Sequence, residues 1–202
     1  VLDESRFQSQ LVNFENCIER MSSFNPQLIL VDKRDTDKSF LKELRKIARI
    51  ITFDNSGNTD YADRVINALP LANGMDVPSN YSGLNYLILN DEIQSFVKHY
   101  APMKTAHILV TFGGSDPAGL SRFVYKIFKE LPQDYNVKFV LGPLYSGEQD
   151  FSPYTCIRTN NIFKEISEAD IVITSFGMTV FESLFIGTHP IVINPTPYHN
   201  SL

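Results

Sequence analysis

The sequence lacks several features that define whole classes of protein. Its 202 residues contain no tryptophan and two cysteines, Cys17 and Cys156, which lie far apart without metal-ligand spacing. We interpret both as small core residues and expect a reducing, cytoplasmic environment. No apolar run approaches the roughly 20 residues that span a bilayer. The polar segment of residues 1–10 does not resemble a signal peptide, and together with the missing tryptophan this argues against a periplasmic sugar-binding protein.

An excess of positive charge is also missing. The chain carries 18 Lys and Arg against 23 Asp and Glu, a formal net charge of -5. Because proteins that bind a nucleic-acid backbone usually present a basic face, nucleic acid is not expected as a partner. A hydrophobic share of 43% with 20% charged residues predicts an ordinary folded protein with a sizeable core in one or two domains.

Common catalytic and metal-binding motifs are absent as well. The sequence has neither a Walker loop nor Gly-x-Gly-x-x-Gly, and without a Gly-x-Ser-x-Gly elbow a serine hydrolase is not expected. Asp32, Asp35 and Asp37 cluster after a predicted strand. They could form a metal-binding or acid–base set, or they could be solvated loop charges. Three histidines without ligand-spaced partners are assigned structural or surface roles: His99, His107 and His189.

Helical and strand patterns alternate along the chain, which predicts an α/β fold with parallel sheets covered by helices on both faces. A domain boundary is expected near residues 102–105, giving domains 1–103 and 104–202. A loop is expected over residues 70–83. Strands are predicted at 28–31, 49–53, 65–69, 107–112, 137–141, 156–158, 170–174 and 191–194. Helices are predicted around 7–21, 40–47, 91–99, 119–131 (on Phe123, Ile127 and Leu131, spaced by four), 162–168 and 179–186.

The strongest functional signal follows the apolar strand that begins near Ile171. Ligands bind doubly wound folds beyond the carboxyl ends of the strands. Gly177 permits a tight turn and close approach of the backbone, and the helix that follows offers N–H donors to a phosphate. Thr179 either caps that helix or bonds a phosphate oxygen. Glu182, one turn further on, either accepts the two hydroxyls of a ribose or is a favourable first-turn charge.

Two other segments end predicted strands. Gly113-Gly114-Ser115-Asp116 suggests a close backbone approach to a ligand, although a tight turn with Asp116 as a helix cap is favoured. The Pro-rich segment of residues 195–200 holds His199 and Asn200, and a surface loop is the alternative interpretation.

These motifs stand in the order and spacing of a known family. They are Phe112 to Asp116, Asn161-Ile162, Glu168 to Ile173, Gly177-x-Thr179-x-x-Glu182, Gly187 and Pro190, with Leu30 to Asp32, Ile51 to Asp54 and Tyr86 to Glu92 in the first half. The chain resembles GT-B nucleotide-sugar enzymes. It is most similar in pattern to spore-coat polysaccharide glycosyltransferases and the UDP-sugar hydrolase of the pseudaminic-acid pathway.

The resemblance implies two Rossmann-like domains facing across a cleft, the first incomplete and the second without its last helices. It implies that the backbone near Asn161 contacts the uracil. It also implies that the Gly177 turn contacts the diphosphate and that Glu182 contacts the ribose. Tyr86 and His199 are the candidate catalytic residues. The substrate-binding residues that it implies are Gly113, Gly114, Ser115, Asp116, Asn161, Ile162, Phe163, Phe176, Gly177, Met178, Thr179, Glu182, His199 and Asn200.

The implied reaction is displacement of UDP at an anomeric carbon, with no cofactor and no metal. The acceptor is a sugar or a lipid reached by peripheral membrane contact; if it is water, the reaction is UDP-sugar hydrolysis. A non-catalytic nucleotide-binding module is a further alternative. The family's Gly-x-Gly-His loop is absent and would lie ahead of Val1, and we expect the native chain to extend beyond Val1 and Leu202. Asn90 replaces the family's arginine, and His199-Asn200 replaces its Asn-Gln pair.

Overall fold

A computed structural model describes residue 13 and residues 16–33, 36–55, 57–69, 78–98, 106–132 and 135–201. The chain divides into two units, Val1–Leu87 and Ile88–Leu202. Each is an α/β unit with its own parallel sheet, which confirms the predicted α/β class with parallel sheets. The expected boundary between residues 103 and 104 lies outside the described residues. Ahead of it, Ile93 already packs in the core of the second unit.

The first unit contains a four-stranded sheet in the order β1-β2-β3-β4, with all strands parallel. Its elements are α1 Cys17–Ser23, β1 Leu28–Asp32, α2 Lys38–Arg45, β2 Arg49–Phe53, β3 Arg64–Asn67, β4 Tyr81–Ser82 and a 3-10 helix at Leu84–Tyr86. The first three predicted strands are confirmed. The predicted loop 70–83 was wrong at its end, because residues 81 and 82 pair with β3. Most of the first predicted helix lies outside the described residues.

Local sequence explains how α2 covers this sheet. The Asp37 side chain accepts a hydrogen bond from the Ser39 backbone at 2.7 Å and begins the helix. Leu41 and Leu44 then fall on one side and are fully buried against strand residues such as Ile50.

The second unit contains a five-stranded parallel sheet in the order β7-β6-β5-β8-β9. Its elements are a 3-10 helix at Asp91–Phe96, β5 His107–Val110, α3 Leu120–Glu130, β6 Asn136–Val140, β7 Thr155–Ile157, α4 Ile162–Glu168, β8 Ile171–Thr174, α5 Met178–Ile186, β9 His189–Val192 and α6 Pro197–Ser201. All predicted strands of this half are confirmed to within a few residues. The expected Pro-rich loop 195–200 instead ends in a short helix.

Alternate residues of β5 to β8 pack into two separate cores. On β5, Val110 packs beneath α3 with Val124 and Phe128. Its neighbour Leu109 packs on the opposite face with residues of α4 and α5, including Ile166 and Ile186. The chain runs outward from β5 to β7, then returns to β8 on the other side of β5. The strand order therefore reverses between β5 and β8, the kind of position where open α/β sheets bind ligands.

The residues that α3 buries are not the apolar residues whose spacing predicted the helix. Phe123, Ile127 and Leu131 are 53%, 42% and 40% exposed. Val124 and Phe128, from the neighbouring row, fill the core instead. The helix therefore carries two apolar rows, of which the sheet covers one.

Candidate functional site

The carboxyl ends of parallel strands meet at one edge of the second sheet. The loops after β5, β6, β8 and β9 therefore share that edge, and those after β5 and β8 lie on adjacent strands. Three candidate segments from the sequence follow these strands: residues 113–116 after β5, 176–179 after β8 and 195–200 after β9. This edge is the candidate site.

The loop after β5 packs backbone against backbone with the loop after β6. Gly113 has a left-handed φ of 71°. The Leu144 N–H donates to the Gly114 carbonyl at 2.9 Å. A Cβ on Gly142 would overlap the carbonyl oxygens of Gly113 and Gly114, so the approach requires glycine at position 142. The sequence predicted that a ligand approaches the backbone of the double glycine closely. In the structure, Gly142 of the same chain makes such a close approach.

The Asp116 side chain bonds the first turn of helix α3, whose N-cap is Gly119. Its two carboxylate oxygens each accept a backbone hydrogen bond at 2.8 Å, one from Leu120 and one from Ser121. The residue is buried and has a φ of 44°. The structure therefore shows the capping role that the sequence favoured for Asp116. These hydrogen bonds also fix the loop that holds the exposed Ser115.

The turn after β8 is open in front of Gly177. This residue has extended backbone, with φ 169°, so the tight-turn reason for a glycine does not apply here. A Cβ built on Gly177 meets no atom within 4 Å. Helix α5 begins directly afterwards, with Gly177 as its N-cap and Thr179 inside its first turn. Of the two roles left open for Thr179, the cap is not the one observed, because Gly177 is the N-cap and no side chain caps the helix.

Glu182 is a half-buried carboxylate one turn into α5. Burial raises the pKa of Glu182 above its usual value, and the hydrogen bond with Thr179 opposes that rise. In the same segment, the rings of Phe176 and Phe181 pack edge to face with centroids 5.8 Å apart. An ionised carboxylate has two oxygens, so Glu182 can accept two hydroxyl hydrogens from one ligand.

Sequence reasoning missed the role of Asn194. Its side-chain oxygen accepts a hydrogen bond from the Phe176 N–H at 3.1 Å, which fastens the turn after β8 to the segment after β9. The available signal was an amide residue placed directly after a strand, where side chains often bond neighbouring backbone.

A cation at the same edge was also missed. The Arg158 guanidinium donates to the carbonyl oxygens of Gly142 and of Tyr145, the latter at 2.9 Å. Arg158 is exposed and directly follows β7. It adds positive charge near the glycine loops, and its position after a strand end was the signal.

The segment Asn161 to Phe163 begins α4. The Asn161 side chain accepts from the Lys164 N–H at 3.0 Å and caps the helix. Ile162 is half-buried. Phe163 is buried, with its ring 6.2 Å from that of Phe96. Phe163 therefore has a core side chain, and a ligand could contact it only through its backbone.

The two catalytic candidates belong to different units. His199 lies in α6, and its Nδ1 shares a hydrogen bond with the Thr196 hydroxyl at 2.7 Å. Its neighbour Asn200 is exposed. Tyr86 lies in the first unit, 42% exposed, with its ring centroid 5.3 Å from that of Tyr81.

A cavity of about 440 Å³ opens at the opposite edge of the second sheet, where β5 and β6 begin. Its polar lining is internally paired, with Lys138 2.8 Å from Glu165 and 3.5 Å from Glu168. We prefer the carboxyl edge as the candidate site, because the cavity lacks the glycine loops and the helix N-terminus.

No group of three or more potential metal-ligating side chains occurs among the described residues. Asp35 of the predicted acidic cluster lies outside them. Hydrogen bonds from Ser39 hold the pKa of Asp37 below its usual value, in keeping with its role as the α2 cap. Within the described part of the chain, no helix is both long and apolar enough to cross a bilayer.

Comparison with known proteins gives two distant relatives. No protein-family model matches the chain. It is 29% identical over 214 residues to an uncharacterised protein of Methanocaldococcus jannaschii, covering 92% of this chain and 43% of that protein. It is 27% identical over 212 residues to the spore coat polysaccharide biosynthesis protein SpsG of Bacillus subtilis, covering 95% of this chain and 62% of SpsG. The chain thus spans less than two thirds of either relative and is similar in part to the group that its motifs indicated.

Proposed function

We propose that this chain is the nucleotide-sugar-binding part of a GT-B-type glycosyltransferase, which displaces UDP from a UDP-sugar in polysaccharide or glycoconjugate biosynthesis. The observation that carries the proposal is the open space in front of Gly177, at the N-terminus of α5 and beside the reversal in strand order. The name of SpsG supports a role in polysaccharide biosynthesis. Because the chain spans part of its relatives, the activity of the whole protein is included in the proposal.

The diphosphate would lie against the first turn of α5. The first N–H groups of a helix have no partners within it, and the helix dipole places positive charge at that end. At Gly177 the missing side chain lets phosphate oxygens approach the amides of Met178 and Thr179. Arg158 and the backbone of Gly113 and Gly114 would border the same ligand.

Glu182 would accept the two ribose hydroxyls. It lies one turn deeper along α5 than the proposed phosphate contact. Its partial burial strengthens hydrogen bonds to the charged form once a ligand excludes water. The backbone around Ile162 would meet the uracil.

For catalysis, the α5 amides would stabilise the charge that develops on departing UDP. No metal or cofactor is needed for that step. A general base must take a proton from the acceptor hydroxyl. His199, held through Nδ1 by Thr196, and Tyr86 are the candidates within this chain. We propose cytoplasmic action with a sugar or lipid acceptor, the latter through peripheral membrane contact.

The proposal is tested by titrating the purified protein with UDP and, for selectivity, with GDP and ADP. Selective UDP binding is expected, and Glu182→Ala should weaken it by about 1–3 kcal/mol, as for loss of a charged hydrogen-bond partner. Glu168→Ala, at the opposite edge of the sheet, is the matched control and should bind UDP normally. Failure of the folded native protein to bind UDP would refute the nucleotide-sugar function.

Turnover assays then separate transfer from hydrolysis. With a UDP-sugar alone, a transferase should release UDP slowly, and a sugar or lipid acceptor should accelerate release. Fast release without an acceptor would replace the transferase proposal with hydrolysis. Tight UDP binding without turnover in the native protein would favour a non-catalytic nucleotide-binding module.

A further inference from the structure

Helix α3 carries a second apolar row that the second unit does not bury. Phe123 and Ile127 lie four residues apart on the helix, and Leu131 directly follows its last residue; the three are 53%, 42% and 40% exposed. The core-facing side of the same helix is filled by Val124 and Phe128. A helix of a globular unit usually needs one apolar stripe, so a second row of large side chains indicates a further contact.

The charges beside this row are of opposite sign. Lys126 and Glu130 are exposed and lie four residues apart, next to Phe123 and Ile127 on the helix surface. In the described part of the chain neither side chain has an ion-pair partner. Beside the apolar row thus lie one cation, Lys126, and one anion, Glu130, whereas the exposed Lys129 lies further round the helix.

We propose that this surface binds a second copy of the same chain, with two α3 helices packed antiparallel about a twofold axis near Ile127. The twofold axis sets Ile127 against its own counterpart and Phe123 against Leu131 of the other copy. It also sets Lys126 opposite Glu130 of the other copy, twice per dimer. Rows of residues spaced by four are the ridges that interdigitate in the commonest helix packing, and a twofold interface must be self-complementary in this way.

Charge favours a second copy over an anionic membrane as the occupant. A membrane-binding helix gathers lysine and arginine beside its apolar residues. Here Glu130 stands in that position, and the whole chain has a net charge of -5. The antiparallel pair turns the same Glu130 into a favourable partner. One helical row is small beside the roughly 800 Å² per partner of a standard interface, so the dimer is weak and dissociates on dilution.

The dimer is independent of the proposed nucleotide-sugar function, because it uses no residue of the candidate site. Sedimentation equilibrium of the purified protein over a wide concentration range tests it. Lys126→Glu and Glu130→Lys should each raise the dissociation constant about tenfold, since each replaces two opposite-charge pairs by like charges. Lys42→Glu, an exposed charge change on α2, is the matched control and should leave the constant unchanged.

The decisive arm mixes the two single variants. Lys126→Glu leaves one copy acidic at both positions, and Glu130→Lys leaves the other copy basic at both. Their equimolar mixture therefore pairs opposite charges again and should restore association. A monomeric wild-type protein at every concentration overturns the proposal, as does self-association that neither charge reversal weakens. If the monomer instead binds anionic vesicles and Ile127→Ser abolishes that binding, the row is a membrane contact and the dimer is refuted.

Discussion

The Phe176 backbone N–H donates to the side-chain oxygen of Asn194 at 3.1 Å, and this bond fastens the turn after β8 to the segment after β9. A second link, from the Ile193 N–H to the Thr174 carbonyl at 2.8 Å, lies beside it. Gly177 directly follows Phe176, so the position of the proposed phosphate contact depends on a residue from the segment after another strand.

Replacing Asn194 with alanine should therefore disturb both stability and binding. The Phe176 N–H loses its acceptor, which should lower the free energy of unfolding by about 1 kcal/mol. UDP affinity should fall as well, because the turn is less well fixed. Asn194→Asp retains an acceptor oxygen and should lose less of both. Urea denaturation and UDP titration of the two variants measure these effects. If Asn194→Asp loses as much stability and affinity as Asn194→Ala, the hydrogen bond is unimportant.

Gly177→Ala should separate ligand binding from folding. The added Cβ meets no atom within 4 Å and the backbone is extended, so stability should change by less than about 0.5 kcal/mol. UDP affinity should drop, since the methyl group occupies the space proposed for phosphate. The matched variant is Gly142→Ala, whose Cβ would overlap the carbonyls of Gly113 and Gly114 and should destabilise the fold. Thermal melts and UDP titration distinguish the two, and unaltered UDP binding by Gly177→Ala would contradict the proposed phosphate contact.

The capping role of Asp116 predicts a graded series. Asp116→Ala removes the acceptor for the N–H groups of Leu120 and Ser121 and should cost about 1–2 kcal/mol of unfolding free energy. Asp116→Asn keeps an acceptor and tolerates the left-handed φ of 44°, so it should cost less. Denaturant midpoints give the order, and an asparagine variant as unstable as the alanine one would mean that the negative charge is what α3 requires.

Glu182 predicts a pH dependence of both stability and binding. Its pKa is raised by burial, so the folded protein binds this proton more tightly than the unfolded chain does. Protonation therefore favours folding, and stability from this group is lost as pH rises from the unfolded pKa through the higher folded one. Glu182→Gln lacks this loss, so its stability relative to wild type should increase with pH across that window and then level off. Urea denaturation across pH checks this, and parallel curves for the two proteins would contradict it.

The same group predicts how UDP affinity responds to acid. If the carboxylate accepts the ribose hydroxyls, affinity should fall as pH drops through the folded pKa of Glu182. Glu182→Gln cannot titrate there and should show only the pH dependence of UDP itself. Subtracting its titration from that of the wild type isolates the contribution of the carboxyl group.

The strands could be predicted because each is a short apolar run ended by turn or polar residues, as at Arg49–Phe53 and Ile171–Thr174. Strand β4 escaped prediction because two residues, Tyr81 and Ser82, are too few to show a pattern. The helix at Pro197–Ser201 was not predicted because Pro195 and Pro197 indicated a loop, although proline suits the first turn of a helix. The described boundaries thus depend on pairing and capping as much as on composition.

The candidate site also has some residues that the sequence could predict and others that it could not. The sequence indicated the Gly177 turn and Glu182, because glycine after a buried strand and a helix start are local features. The glycine contact at Gly142 and the anchor at Asn194 were not predictable, because each joins loops from different strands. Their partners are 28 or more residues away for Gly142 and 18 away for Asn194.

The sequence by itself determined the alternation of strands and helices and the polar or glycine-rich ends of the strands, since periodicity and turn chemistry are properties of neighbouring residues. Only the tertiary structure decided the strand order, which brings the loops after β5 and β8 together. It also decided which apolar row of α3 is buried. Phe123 and Ile127 are as hydrophobic as Val124 and Phe128, and the geometry of the sheet, rather than the residues of the helix, selects the row that leaves water.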